Sequence, residues 1–244
     1  MKILVMGPFN SGKSTFVSKV SEGSSISIDR AGTTVALDYA VAEVFSMSVF
    51  LFGTPGLKRF DMVRRVLSTG ADGVLFLIDS TKPYANESQA LFAEIKNTLP
   101  NVPIIIAANK QDIPSALQPE EAARLAGFSK EDYFIIGTSA TTGKGIERAL
   151  KVLTLAILRR MLPVLRVILE EGGNPNSLEK ISQKLNVPLQ KARLMLRWLE
   201  WRRVLSADWY AQPFELKPFA KQATEILLEI ERLREERTPP AVTF

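Results

Sequence analysis

Short apolar runs alternate with longer stretches of helical periodicity through the first 160 residues. This alternation predicts a sheet with helices on both faces. The runs fall at 2–6, 36–45, 47–52, 74–79, 102–108 and 133–136. Each is short and rich in β-formers, so each reads as a strand. Almost nothing separates 36–45 from 47–52, which predicts an antiparallel hairpin. Helix-length spacers such as 83–99 divide the other runs, which therefore pair in parallel. A helix over 145–161 completes this part of the chain.

The pattern changes near Leu162. Pro163 opens an apolar helix that stops at Glu171-Gly172-Gly173-Asn174-Pro175. Ser177 is expected to cap a second helix over 178–185, and Pro188 to begin a third over 189–204. Two short strands around a turn follow between Leu205 and Leu216, then a helix over 218–237. Three helices, a hairpin and a helix give the order of a winged helix-turn-helix. The expected division is an α/β domain over 1–160 and a small α+β winged module over 161–244.

Composition narrows the chemistry. Apolar residues make up 46% of the 244 positions, enough for a sizeable core. The chain has no cysteine and no histidine. That removes disulfides, thiolate and imidazole metal ligands, and the usual nucleophile and general base. Phosphates, backbone amides, carboxylates, Lys/Arg and a hard cation remain. The formal charge of +5 allows an acidic partner without naming one. No leader, membrane span or lipid-accepting residue is evident, so the expectation is a cytoplasmic chain with no membrane anchor of its own.

Gly7-Pro8-Phe9-Asn10-Ser11-Gly12-Lys13-Ser14 fits G-x-x-x-x-G-K-[ST] between a predicted strand and a predicted helix. The glycines let successive amides turn inward on a phosphate, and the helix adds its positive end. Lys13 is a point charge for terminal phosphates, and the Ser14 hydroxyl is a magnesium ligand. Asn10, Ser11, Gly12 and Thr15 complete the expected phosphate contacts. Asn109-Lys110-Gln111-Asp112 follows the strand at 102–108. A carboxylate at Asp112 accepts from the ring N–H and the amino group of guanine, a donor pair that adenine lacks. Asn109 would tie this loop to the phosphate loop, and the stem of Lys110 would cover one face of the base. Thr138-Ser139-Ala140 follows the last strand, where Ser139 and the Ala140 amide are expected near the guanine carbonyl.

Over residues 1–160 the sequence resembles the Ras superfamily of small GTPases. It looks closest to the prokaryotic branch around the polarity GTPase MglA and the archaeal Rup-type GTPases. The likeness includes Thr33-Thr34-Val35-Ala36-Leu37-Asp38-Tyr39 and Leu51-Phe52-Gly53-Thr54-Pro55-Gly56. The resemblance implies a six-stranded sheet, GDP/GTP binding with Mg2+, and two switch segments. By that likeness Thr34 binds magnesium and the Gly56 amide senses the γ-phosphate, with Thr33 the lesser choice for the metal.

The departures matter as much. Gly53 stands where the family's D-x-x-G pattern has an Asp that holds magnesium through water. Leu57 stands where a glutamine orients the attacking water, and it neither accepts nor donates a hydrogen bond. Slow intrinsic hydrolysis is therefore expected. Arg30 and Arg59 are candidates for transition-state charge, although a solvated loop arginine is the commoner outcome.

Between Lys180 and Lys221, nine Lys/Arg face three Asp/Glu. Lys191, Arg193 and Arg197 lie on the third helix of the winged module, and Lys217 lies on the wing. Both DNA and protein stay open as partners for this face. The last helix, with Ile226, Leu227, Ile230 and Leu233, could pair with a second copy. The sequence thus reads as a GTP/GDP switch coupled to a winged-helix module and to a protein effector or regulator. The alternatives are a nucleotide-binding scaffold or DNA-binding regulator with vestigial hydrolysis, and an ATPase.

Overall fold

The structure, a computed structural model, describes residues 1–22, 38–54, 61–174, 176–210 and 213–237. The chain forms two compact units, Met1–Ile157 and Leu158–Phe244.

Chain order in the first part is β1 (Lys2–Met6), α1 (Lys13–Glu22), β2 (Tyr39–Val44), β3 (Met47–Gly53) and α2 (Asp61–Ser68). Then come β4 (Gly73–Asp79), α3 (Ala85–Thr98), β5 (Ile104–Asn109), α4 (Pro119–Leu125), β6 (Ile135–Gly137) and α5 (Ile146–Arg160). Among the described residues these strands make one six-stranded sheet in the order β2-β3-β1-β4-β5-β6. Only β2 runs antiparallel, paired with β3 as the short gap between their apolar runs requires. The other pairings are parallel. Helices α2 and α4 were not foreseen. Each spans only about two turns, too few for a helical period to show.

Every residue of β5 is buried, as are all but the last of β4, which suits parallel strands covered on both faces. Phe76 from β4 meets Phe92 of α3 edge-on, with ring centroids 5.4 Å apart, and Phe128 and Tyr133 pack against Phe92 at 4.9 and 5.2 Å. This aromatic cluster fastens α3 and the α4–β6 connection to one side of the sheet.

Helix α2 is pinned differently. Arg64 is 3% exposed, and its Nε and Nη2 donate to the two carboxylate oxygens of Glu94 on α3 at 3.0 and 2.8 Å. A bidentate pair of this kind fixes orientation as well as distance. Glu94→Ala deprives a buried guanidinium of its carboxylate. It is expected to cost about 2–3 kcal/mol, because the buried Arg64 stays charged when its partly exposed carboxylate partner is lost. Urea unfolding with an unchanged m-value checks this.

The second part contains α6 (Leu162–Glu171), α7 (Ser177–Lys184), α8 (Leu189–Trp201), the hairpin β7 (Leu205–Ala207) with β8 (Phe214–Leu216), and α9 (Pro218–Arg237). Its core gathers Leu165, Ile168, Leu178, Ile181, Leu196, Leu199 and Phe214. Two sequence expectations are corrected here. Ser177 is the first residue of α7, and Asn176 holds the cap position with φ +57°. Helix α8 ends at Trp201 and not at 204, because Arg203 turns left-handed at φ +58°. The Arg203 and Val204 amides then close on the carbonyls of Glu200 (2.8 Å) and Leu199 (2.9 Å). That is the paired hydrogen-bond closure of a Schellman end. Among the described residues, no helix is long and apolar enough to cross a membrane.

Candidate functional site

The site lies at the carboxyl ends of β1, β4 and β5, where an α/β sheet leaves a crevice. Strand β1 ends in buried Met6, and Gly7 turns against β4 at φ +148°. A Cβ at position 7 would stand 2.2 Å from the Leu77 carbonyl oxygen, so glycine is obligatory there. Gly12 has φ +91°, and a Cβ there would meet Asn109 Nδ2 at 2.3 Å. Between the two glycines, Phe9 and Asn10 are exposed, Asn10 in the left-handed region at φ +62°. Ser11 is buried.

Helix α1 then starts with no acidic residue in its first turn, which leaves its positive end uncompensated. Ser14 and Thr15 are exposed on that turn. The Lys13 side chain folds back over the loop, where Nζ donates to the Pro8 carbonyl at 2.6 Å and lies 3.5 Å from Ser11 Oγ. Burial is the largest influence on this ammonium and pulls its pKa down to about 8. The negative charge of Asp38 works against that shift, and the positive charge of Arg64 adds to it. A largely buried cation beside a helix end and a glycine-formed loop is an anion cradle.

The second loop leaves β5 at Asn109, which is 1% exposed. Its Nδ2 donates to the Ser11 carbonyl at 2.9 Å, across 98 residues of sequence. Its Oδ1 accepts from Thr138 Oγ1 at 3.2 Å and from the Ala140 amide at 3.0 Å. One amide side chain therefore joins the phosphate loop, the 109–112 loop and the 138–140 loop. The Gln111 amide adds a bond to the Thr138 carbonyl at 3.0 Å. Lys110 sits at φ +68°, and its Nζ pairs with Asp79 Oδ2 at 2.6 Å. Burial pushes the Asp79 carboxyl upward. The Lys110 ammonium and the Thr81 hydroxyl and amide outweigh it and hold the group below the usual carboxylate range. Asp112 is exposed, while Ser139 and Ala140 are buried. Ser139 Oγ accepts from the Thr142 amide at 3.1 Å.

Asn10, Ser11, Gly12, Lys13, Ser14 and Thr15 thus line one loop and helix start, and Asn109, Lys110, Asp112, Ser139 and Ala140 line the neighbouring pair of loops. Thr34, Gly56, Arg30, Thr33, Leu57 and Arg59 lie outside the described residues. Asp79 and Gln111 escaped the sequence reading. Asp79 merely ends an apolar run, and Gln111 fills the variable position of N-K-x-D; only the strand pairing Asp79↔Asn109 reveals their roles. Among the described residues, no three Asp or Glu side chains gather to hold a metal unaided. A magnesium ion carried with phosphates needs only one or two protein oxygens, and the exposed Ser14 hydroxyl beside the anion cradle fits that requirement.

Comparison with known proteins agrees with this geometry. Residues 2–110 match the family described as 50S ribosome-binding GTPase. The chain is 25% identical over 172 residues to ADP-ribosylation factor-related protein 1 of Rattus norvegicus, covering 65% of this chain and 86% of that protein. It is 31% identical over 157 residues to the tRNA modification GTPase MnmE of Proteus mirabilis, covering 60% of this chain and 33% of that protein. An uncharacterised protein of Methanocaldococcus jannaschii is 26% identical over 113 residues, covering 46% and 71% of the two chains. Sheet order and the family match are consistent with the fold of a P-loop GTPase domain.

Proposed function

We propose that the first domain is a GTP/GDP switch that holds its nucleotide with Mg2+ and hydrolyses it slowly. The observation that carries this reading is the three-way hydrogen bonding of Asn109, which makes the phosphate loop and the base-reading loops one body. In this reading the 7–14 loop wraps the phosphates, and Lys13 trades its bond to the Pro8 carbonyl for phosphate oxygens. Asp112 selects guanine, with Ser139 and Ala140 closing the far side of the base. Bound magnesium would neutralise charge on the terminal phosphates, with the Ser14 and Thr34 oxygens holding it. Gly56 would sense the γ-phosphate, and Arg30 would meet developing charge. The switch stretch Thr33 to Tyr39 and the Leu51 to Gly56 stretch favour the MglA/Rup-type branch of the small GTPases.

Competition between GTP and ATP for the purified protein with magnesium tests the base reading. Strong preference for GTP is expected, and equal competition by ATP would sink it. Leu57 has no group that could hydrogen-bond the attacking water. Single-turnover hydrolysis without any partner protein is accordingly expected to be slow, on the order of 10⁻⁴ s⁻¹, as for intrinsic small-GTPase turnover. A rate in the range of partner-stimulated enzymes would overturn this. Should GTP be retained with no turnover at all, the chain is a nucleotide-dependent scaffold, a reading that Gly53 and Leu57 also favour.

The second domain is proposed as a winged helix that passes the nucleotide state to a partner in the cytoplasm. Its element order supports this, as does the exposure of Lys191, Arg193, Arg197 and Lys217. Arg202 does not belong to that basic face, because it is 3% exposed and stacks 3.5 Å over the Trp198 ring. Leu194 and Trp201, 67% and 71% exposed on α8, favour a protein effector, regulator or second copy over DNA.

A further inference from the structure

Helices α8 and α9 each carry a seam that their own domain leaves uncovered. On α8 the outward positions are Gln190, Leu194, Arg197 and Trp201, spaced four, three and four residues apart, which traces one line along a helix. All four are exposed, Leu194 by 67% and Trp201 by 71%. The other side of the helix, with Ala192, Leu196 and Leu199, is buried. On α9 the residues Gln222, Ile226, Glu229 and Leu233 repeat that spacing, and again all four are exposed. Ile230, also exposed, widens this seam. The buried residues of α9, Ala220, Ala223 and Thr224, lie in its first half, and every residue from Glu229 to Leu233 is exposed. Helical turns exposed on all sides gain nothing from packing and are marginal in water.

The two seams match in spacing and oppose each other in charge. On α8 Arg197 stands between the apolar pair Leu194 and Trp201, with Lys191 and Arg193 exposed beside it. On α9 Glu229 stands between Ile226 and Leu233, with Glu225 exposed beside it. Laid along one another in either direction, the seams set apolar against apolar and Arg197 against Glu229. Glu229 holds Arg232 at 2.8 Å, and the Arg197 guanidinium lies 5.2 Å from the Trp209 ring. Both are weak surface contacts that an Arg–carboxylate pair shielded by apolar side chains can displace. Neither seam suits a copy of itself, because Arg197 would meet Arg197, or Glu229 would meet Glu229, at the centre. One contact of this kind is small, since a stable interface covers about 1,200–2,000 Å². A two-fold axis makes the contact twice and covers both seams of both chains at once.

We propose that the second domain pairs with a second copy of this chain, the α8 seam of each taking the α9 seam of the other around a two-fold axis. An Arg197–Glu229 pair then lies at the centre of each contact. This rests on the reading of that domain's exposed face as protein-binding, narrows its partner to a second copy, and is independent of the guanine-nucleotide reading.

Sedimentation equilibrium of the full chain tests it. The wild-type protein is expected to be a reversible dimer. Arg197→Glu and Glu229→Arg each set like charges at both centres, and each is expected to raise the dimer dissociation constant at least about tenfold. The double variant R197E/E229R should recover most of that loss. An equimolar mixture of the two single variants should recover it too, because each then meets the opposite charge at both centres. A fold damaged by either substitution would not be regained on mixing. Leu194→Ser removes an exposed apolar anchor without changing charge and should weaken the dimer by a similar factor. A wild-type protein that stays monomeric up to its solubility limit, or whose mass runs past the dimer, overturns the pairing and leaves a protein effector as the partner of this domain. A dimer that any of the three single variants leaves unweakened, or that the double variant and the mixture do not both restore, overturns it as well.

Discussion

Asn109→Ala is expected to weaken GDP binding by about two orders of magnitude, although Asn109 need not touch the nucleotide. Its side chain is 1% exposed and uses both ends: Nδ2 on the Ser11 carbonyl, Oδ1 on the Thr138 hydroxyl and the Ala140 amide. Truncation leaves three buried polar groups without that partner. A buried group left unpaired costs about 1–3 kcal/mol. Part of that cost is recovered as the loops drift apart and admit water. Binding must then bring them back together, and about 3 kcal/mol of lost organisation corresponds to roughly a hundredfold in affinity. Titration calorimetry with GDP reads the loss. An affinity within threefold of wild type, in a variant that melts normally, would show that the loops are held by something else.

Asp112→Asn should exchange the base preference instead of abolishing binding. The Asp112 carboxylate is exposed, and it is the one carboxylate of the 109–112 loop. Guanine offers a ring N–H and an amino group side by side. Xanthine offers the same ring N–H beside a carbonyl, which the amide nitrogen of Asn can serve. Each charge-assisted hydrogen bond contributes about 1.5–3 kcal/mol, so GDP should lose about 10²–10³ in affinity while xanthosine diphosphate overtakes it. Competition of the two diphosphates against labelled GDP measures the ratio. If GDP still wins by a wide margin, Asp112 does not read the base.

These two residues stood out in the sequence because loops proposed to hold phosphate and guanine need particular residue types at fixed spacing. Gly7 and Gly12 are required by backbone approach to Leu77 and Asn109, which no other residue type allows. The strands were legible for a similar reason: buried parallel strands such as β4 and β5 must be apolar nearly throughout. Helices α2 and α4 escaped because about two turns are too few to establish a helical period. Arg64 reads as one more surface arginine until α3 brings Glu94 against it. Arg202 likewise counted as basic surface until the fold buried it on Trp198.

The glycine-built turn at 7–14, the 109–112 loop and the alternating order of strands and helices were thus determined by the sequence alone, because local backbone geometry and hydrogen-bond chemistry dictate residue types one by one. What joins those parts was decided only by the tertiary structure. Asn109 reaches Ser11 across 98 residues, and Lys110 finds Asp79 across 31. Such pairings depend on strand register, and register is a property of the folded sheet that no single segment carries.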